Sequence, residues 1–247
     1  DGLLNPSQIV FLYRFNGYDF LSITDHNKLT GVNEISEGLE DFLILPGEEI
    51  DIGNLHLVAL NINAEIKSDN SPEDVINEVS EQGGEVIVAH PYWSALTLRD
   101  LQDIDGYLGI EIYNATCDVF VAKGYSTVYW DNLLYRGRYI YGFAVDDAHT
   151  GLSFQRPTDT CKGWIMVKAD RLNRESLMES LRSGLFYSST GPEIHDVQIR
   201  GEEIHVKTSP VQVINFIARN GLGRRFFASD KPIDEATYTI KGNEGYI

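Results

Sequence analysis

Residues 85–91 read Glu85-Val86-Ile87-Val88-Ala89-His90-Pro91. The run is short, rich in β-branched residues and apolar on both faces, as expected of a strand buried in a parallel sheet. A histidine follows it at once, at the C-terminal end of the strand, the edge where active sites assemble in barrels and doubly wound sheets. The same grammar recurs on both sides of this stretch. Asp19–Thr24, Phe42–Leu45, Leu57–Leu60, Leu108–Ile112 and Ile140–Val145 are further apolar runs. Between them, Ser71-Pro72-Glu73-Asp74 opens a helix that Gly83-Gly84 ends, with Ser71 as N-cap and Pro72 at the first helical position. A second helix is expected from Asn173 to Leu181, stopping at Gly184. Strands alternating with helices define an α/β layout, either a barrel or an open sheet.

After about Gly184 the pattern changes. Val197–Arg200 and Ile204–Thr208 alternate apolar and polar residues across Gly201-Glu202-Glu203, a hairpin signature. Val213–Ala218 and Ala236–Ile240 continue it around the turn-rich Asn220–Gly223. The sequence therefore reads as a body over residues 1–184 and a small antiparallel β module over 185–247.

The 247 residues carry 20 Lys and Arg against 37 Asp and Glu, a net charge of −17. That balance argues against a nucleic-acid surface, which needs a basic stripe. A hydrophobic content of 43% excludes wholesale disorder. No apolar run is long enough for a membrane span, and with no signal-peptide pattern the expected location is cytoplasmic. Cys117 and Cys161 are too few for a disulfide framework.

Four strand ends deliver imidazole or carboxylate: Asp25 and His26, Glu48 and Glu49, His90, and Asp147 with His149. A lone histidine beside an apolar run is commonly a core or surface residue. Four of the six histidines in the chain, these three and His56, accompanied by acids at successive strand ends, point instead to a metal site. Borderline divalent ions such as Zn²⁺, Mn²⁺ or Fe²⁺ suit such donors. Asp147 and His149, two apart on an extended segment, point the same way; Asp146 points oppositely. His195 and His205 lie in alternating strands of the tail and read as ordinary surface residues.

Thr24-Asp25-His26-Asn27, Pro46-Gly47-Glu48-Glu49, Ala89-His90-Pro91 and Asp147-Ala148-His149 together resemble, in order and rough spacing, the motifs of the PHP (polymerase and histidinol phosphatase) family. Leu185–Pro192 and the β tail resemble the C-terminal part of its bacterial metal-dependent phosphoesterase branch. The resemblance implies a distorted (βα)7 TIM-like barrel with two or three metals, hydrolysing a small phosphorylated substrate with a metal-bridging hydroxide. It implies His26, Glu48, His90, Asp147 and His149 as catalytic metal ligands, with Glu48 bridging. His56 is expected as a further ligand or phosphate contact. The family opens with a strand ending His-x-His, which this chain, starting at Asp1, lacks. The expected barrel therefore lacks its first strand, Asp1 stands as a remaining ligand, and the chain reads as a piece of a complete enzyme.

Asp25 and Glu111 are expected to support the ligands from behind, and Glu49 to do so or to be exposed. Asn114, Lys28, Arg138 and Arg156 are candidates for substrate contact. Two other readings accompany this one: a catalytically impaired PHP-like binding or scaffold protein, and a metal-dependent amide or ester hydrolase.

Overall fold

The structure, a computed structural model, describes residues 2–67, 71–149 and 158–247. Asp1 and Arg156, read from the sequence as metal ligand and substrate contact, lie outside the described residues. The elements in chain order are α1 (Pro6–Phe15), β1 (Phe20–Ile23), α2 (Asn33–Ser36), β2 (Leu43–Ile52), β3 (Leu55–Leu60), α3 (Pro72–Glu81), β4 (Glu85–Val88), α4 (Leu98–Asp103), β5 (Gly109–Asn114), α5 (Ala115–Val121), α6 (Thr127–Tyr135), β6 (Tyr141–Val145), β7 (Trp164–Val167), α7 (Arg174–Arg182) and β8 (Phe186–Ser189). They continue as β9 (Ile194–Arg200), β10 (Glu203–Val211), β11 (Val213–Ile217), β12 (Gly223–Phe227) and β13 (Ile233–Thr239).

The chain divides into two compact units, Asp1–Trp130 with Ile140–Ser188, and Asp131–Tyr139 with Ser189–Ile247. In the first unit, β1 to β6 form a curled six-stranded sheet in sequence order, a half-barrel. It is not the all-parallel sheet expected from the apolar runs. β1–β2, β4–β5 and β5–β6 pair parallel, whereas β3 runs antiparallel to both β2 and β4. The cause is local. Gly53 and Asn54 alone separate β2 from β3, and Gly53 takes a φ of 66°, the positive angle that a two-residue hairpin needs. A parallel return would require a crossover of a dozen residues or more.

This reversal positions the site. Because β3 runs backwards, its second residue, His56, sits across from Asp51 near the C-terminal end of β2. Gly47 allows β2 to pass close to its neighbours; a Cβ there would lie 2.7 Å from the Ala59 carbonyl oxygen and from Ser22 Oγ.

Leu45, Val58, Leu60, Ile87 and Phe143 of the sheet bury against Leu177, Met178 and Leu181 of α7. Those three helix residues are 1–3% exposed, each contributing about 1.5–3 kcal/mol of hydrophobic stabilisation. Asn173 caps α7, accepting the Ser176 N–H, and Ser71 caps α3 through the Asp74 N–H. α1, which the apolar-run reading passes over, starts with a capping box between Asn5 and Gln8 and packs Val10 and Tyr13 against Phe42 and Ile44. No helix among the described residues is long and apolar enough to cross a membrane.

The second unit holds a three-stranded antiparallel sheet, β13-β10-β9, and a β11–β12 hairpin. Ile214, Phe216, Ala236 and Tyr238 form its core.

Candidate metal centre

β2 builds the centre by simple alternation. Glu49 and Asp51, two residues apart, present their carboxylates on one face, and His56 enters that face from β3. His56 Nδ1 lies 2.8 Å from Glu49 Oε1 and 3.6 Å from Asp51 Oδ1. His26, just past β1, forms a parallel bridge with Glu49 and places Nδ1 2.8 Å from Asp51 Oδ1. One ligand atom each from His26, Glu49, Asp51 and His56 lies within 4.8 Å of the other three. Two donors on one tetrahedral zinc lie about 3.4 Å apart at the usual ligand distance. Side-chain movement of about an ångström would bring all four onto one ion.

The acid at this position is Glu49, not Glu48. Glu48 points to the other face of β2, where it is 1% exposed and accepts the Ile66 N–H at 3.0 Å. Burial, with the charges of Glu65 and Glu78, raises its carboxyl pKa. The period of two forbids both neighbours from facing the histidines. Asp51 has no place in the motif reading at all. The signal for both was the Gly53-Asn54 turn, which sets Asp51 opposite His56 and Glu49 on the same face.

His90 extends the cluster inward. Its Nε2 lies 3.2 Å from Glu49 Oε1 and its Nδ1 3.0 Å from Ser94 Oγ. Its backbone N–H donates to Glu111 Oε2 at 2.7 Å. Asn114 Nδ2 donates to Glu111 Oε2 at 2.9 Å and to Asp147 Oδ2 at 3.1 Å, while Asn114 Oδ1 accepts the Cys117 N–H at the start of α5. Asn114 is fully buried and held on both ends, which makes it a brace between Glu111 and Asp147 rather than the substrate contact read from the sequence. His149 reaches the opposite side, its ring 6.4 Å from that of His26, and its backbone N–H donates to Asp159. The rings of His26 and His56, and of His56 and His90, follow at 5.4 and 4.9 Å. Trp93, 44% exposed, lies edgewise to His56 and His90 at 5.8 and 5.0 Å.

Three residues here occupy the left-handed backbone region that side chains rarely adopt: Asn27 at φ 49°, His90 at φ 26° and Asp147 at φ 51°. Asn27 is fixed by two hydrogen bonds exchanged with Asp51, and His90 by its amide bond to Glu111. Such strain persists only where surrounding bonds enforce it.

Asp25 accepts the Thr30 hydroxyl, and its carbonyl takes the Glu49 N–H. Lys28 is exposed on the same loop. Arg138 belongs to the second unit, on the turn after α6. Asp146 turns away from the histidines. It accepts the Tyr13 hydroxyl at 2.6 Å and the N–H groups of Cys161, Lys162 and Gly163.

The electrostatics favour a cation. Burial raises the Glu111 carboxyl to about 7, helped by the Asp147 charge. Burial and the Glu49 charge raise Asp147. Burial would lower His90, yet its bond to Glu49 and the charges of Glu111, Glu49 and Asp147 raise it to about 9. Burial likewise opposes ionisation of Glu49, but the hydrogen bonds of His56 and His90 and the nearby imidazoles hold it down at about 2. Burial and mutual repulsion thus leave Glu111 and Asp147 short of positive charge, while Glu49 and His90 hold each other ionised, and imidazole and carboxylate donors suit borderline divalent ions.

An α/β half-barrel with histidines and carboxylates gathered at one sheet edge is thus the class of protein that fold and site define. Over 122 residues the chain is 34% identical to the uncharacterized protein MJ1587 of Methanocaldococcus jannaschii, covering 47% of this chain and 69% of that protein. The chain belongs to the family of that archaeal protein. No family model matches it. Among solved structures, an amidohydrolase from Chromobacterium violaceum gives a TM-score of 0.49 at 16% identity, over 61% of this chain and 84% of its own. A protein described as a metal-dependent phosphoesterase, from Bifidobacterium adolescentis, gives 0.48 at 17% identity, over 65% of this chain and 89% of its own.

Proposed function

We propose that this chain is a metal-dependent hydrolase acting on phosphoesters, and that the half-barrel is part of a PHP-like (βα)7 barrel. The observation that carries the reading is the convergence of His26, Glu49, Asp51 and His56 within 4.8 Å. They come from the end of β1, from β2 and from the reversed β3. These four hold one divalent ion, zinc, manganese or iron by donor type. His90, Asp147 and His149 extend the donor set toward a second. An ion held there supplies a Lewis acid and a water that ionises near neutral pH.

The chain's own residues do the positioning. Asn27 locks Asp51 through both its carboxylate and its amide. Glu111 fixes the His90 backbone, and Asn114 ties Glu111 to Asp147. Such partners set ligand orientation and basicity. Trp93 shields one flank of the His56 and His90 rings from water, which strengthens electrostatic interactions within the site. Ser94 holds Nδ1 of His90, which turns Nε2 toward Glu49.

The test is metal content together with hydrolysis of a phosphomonoester, a phosphodiester, a carboxylic ester and an amide, for wild type and His56→Ala. Bound zinc, manganese or iron, phosphoester turnover and loss of both in the variant are expected. Hydrolysis of the amide or carboxylic ester alone would move the assignment to acyl substrates, and turnover indifferent to His56→Ala would remove it from this site.

A further inference from the structure

The outer strand of the second unit carries an interaction surface that the metal reading does not use. β9 is the last strand in the order β13-β10-β9, so among the described residues one of its edges pairs with no strand. Val197 and Ile199 stand opposite Val206 and Ile204 of β10, on the face that packs with Ile214, Phe216, Ala236 and Tyr238. That apolar face continues onto β9, where Val197 is 54% and Ile199 70% exposed. Proteins usually guard such an edge with lysine, proline or a short strand. β9 is seven residues long and contains neither residue.

The occupant is written in the strand itself. Residues 196–200 read Asp-Val-Gln-Ile-Arg: acid, apolar, amide, apolar, base. Laid antiparallel on another copy about Gln198, the strand meets its own complement. Asp196 faces Arg200 of the second copy, Val197 faces Ile199, Gln198 faces Gln198, and the second half repeats the first. Both apolar side chains then lie on the same face and continue the core surface across the junction. Directly opposed charges and apolar pairs each stabilise a cross-strand contact. A two-fold axis demands this kind of self-complementarity. The chain carries −17 overall, but this pentapeptide carries one acid and one base, so the paired segments themselves add no net charge to the junction. We propose that β9 joins two copies of this chain into a dimer, pairing edge to edge about Gln198 into a six-stranded sheet.

The test is sedimentation of the full chain from low to high micromolar concentration, the range suited to a small interface. Wild type is expected to shift from monomer to dimer. Ile199→Lys, at a position 70% exposed, and Asp196→Arg are both expected to sediment as monomers with unchanged circular dichroism. The double variant Asp196→Arg/Arg200→Asp, which exchanges the charges, is expected to restore the dimer. A wild type that stays monomeric, a dimer indifferent to Ile199→Lys, or a double variant that stays monomeric would each overturn the pairing.

Discussion

At the scale of single residues, the pair Glu48 and Glu49 decides how the site works. They are adjacent and identical in type, yet one meets histidines and the other a backbone amide. Replacing Glu49 with Gln removes a charged oxygen that faces both His56 and His90, so divalent-metal affinity measured by titration calorimetry is expected to fall by at least about 100-fold, the upper range seen even for groups that only support ligands. Glu48→Gln should leave that affinity unchanged. Its amide oxygen can still accept the Ile66 N–H, and the raised pKa of Glu48 shows that burial already disfavours its charge. Folding stability in urea is therefore expected to hold or rise slightly in that variant. Equal losses of metal in the two variants would contradict the facing derived from strand alternation.

At the scale of elements, the β2–β3 hairpin carries the most information per residue. Gly53 at φ 66° lets the chain reverse in two residues. Gly53→Val is expected to cost about 1–2 kcal/mol in denaturant unfolding and to weaken metal binding by loosening the approach of His56 to Asp51. The six strands of the half-barrel and two of the polar-capped helices, α3 and α7, are legible because burial and capping are local signals. The direction of β3 is not legible in its four-residue apolar run, which has no direction of its own; the Gly53-Asn54 turn is what announces it. The choice of Glu49 and Asp51 over Glu48 depended on that direction. In the second unit, the turn after β13 offers a different test. The Glu244 carboxylate accepts N–H groups from Lys241, Gly242 and Asn243 and the Tyr238 hydroxyl. The Lys241 amide bond leads in holding it near 2, below the ordinary 4.5. A depressed folded-state pKa means that its contribution is whole above pH 4.5 and disappears as the pH falls from there toward 2. The stability difference between wild type and Glu244→Gln, followed by far-ultraviolet circular dichroism, is therefore expected to shrink across that window.

At the scale of the whole molecule, charge and cation binding are linked. A net charge of −17 destabilises any compact state by self-repulsion, and divalent cations relieve part of it wherever they bind. Stabilisation by metal is thus not by itself evidence of a built centre. The two effects separate through where the reporters lie. All three tryptophans, Trp93, Trp130 and Trp164, fall within the first unit, which also holds the whole His and carboxylate cluster. Tryptophan fluorescence therefore follows the unfolding of that unit. At a free metal concentration 100 times the dissociation constant, specific binding adds about 2.7 kcal/mol. For a unit of this size that raises the fluorescence midpoint by about 5–10 °C. The shift should saturate with zinc or manganese, vanish with chelator and be absent in Glu49→Gln, whereas screening would grow with any salt and ignore that substitution. A wild type and a Glu49→Gln variant that respond alike would show that the cations act on the field of the whole chain and not on the four converging side chains.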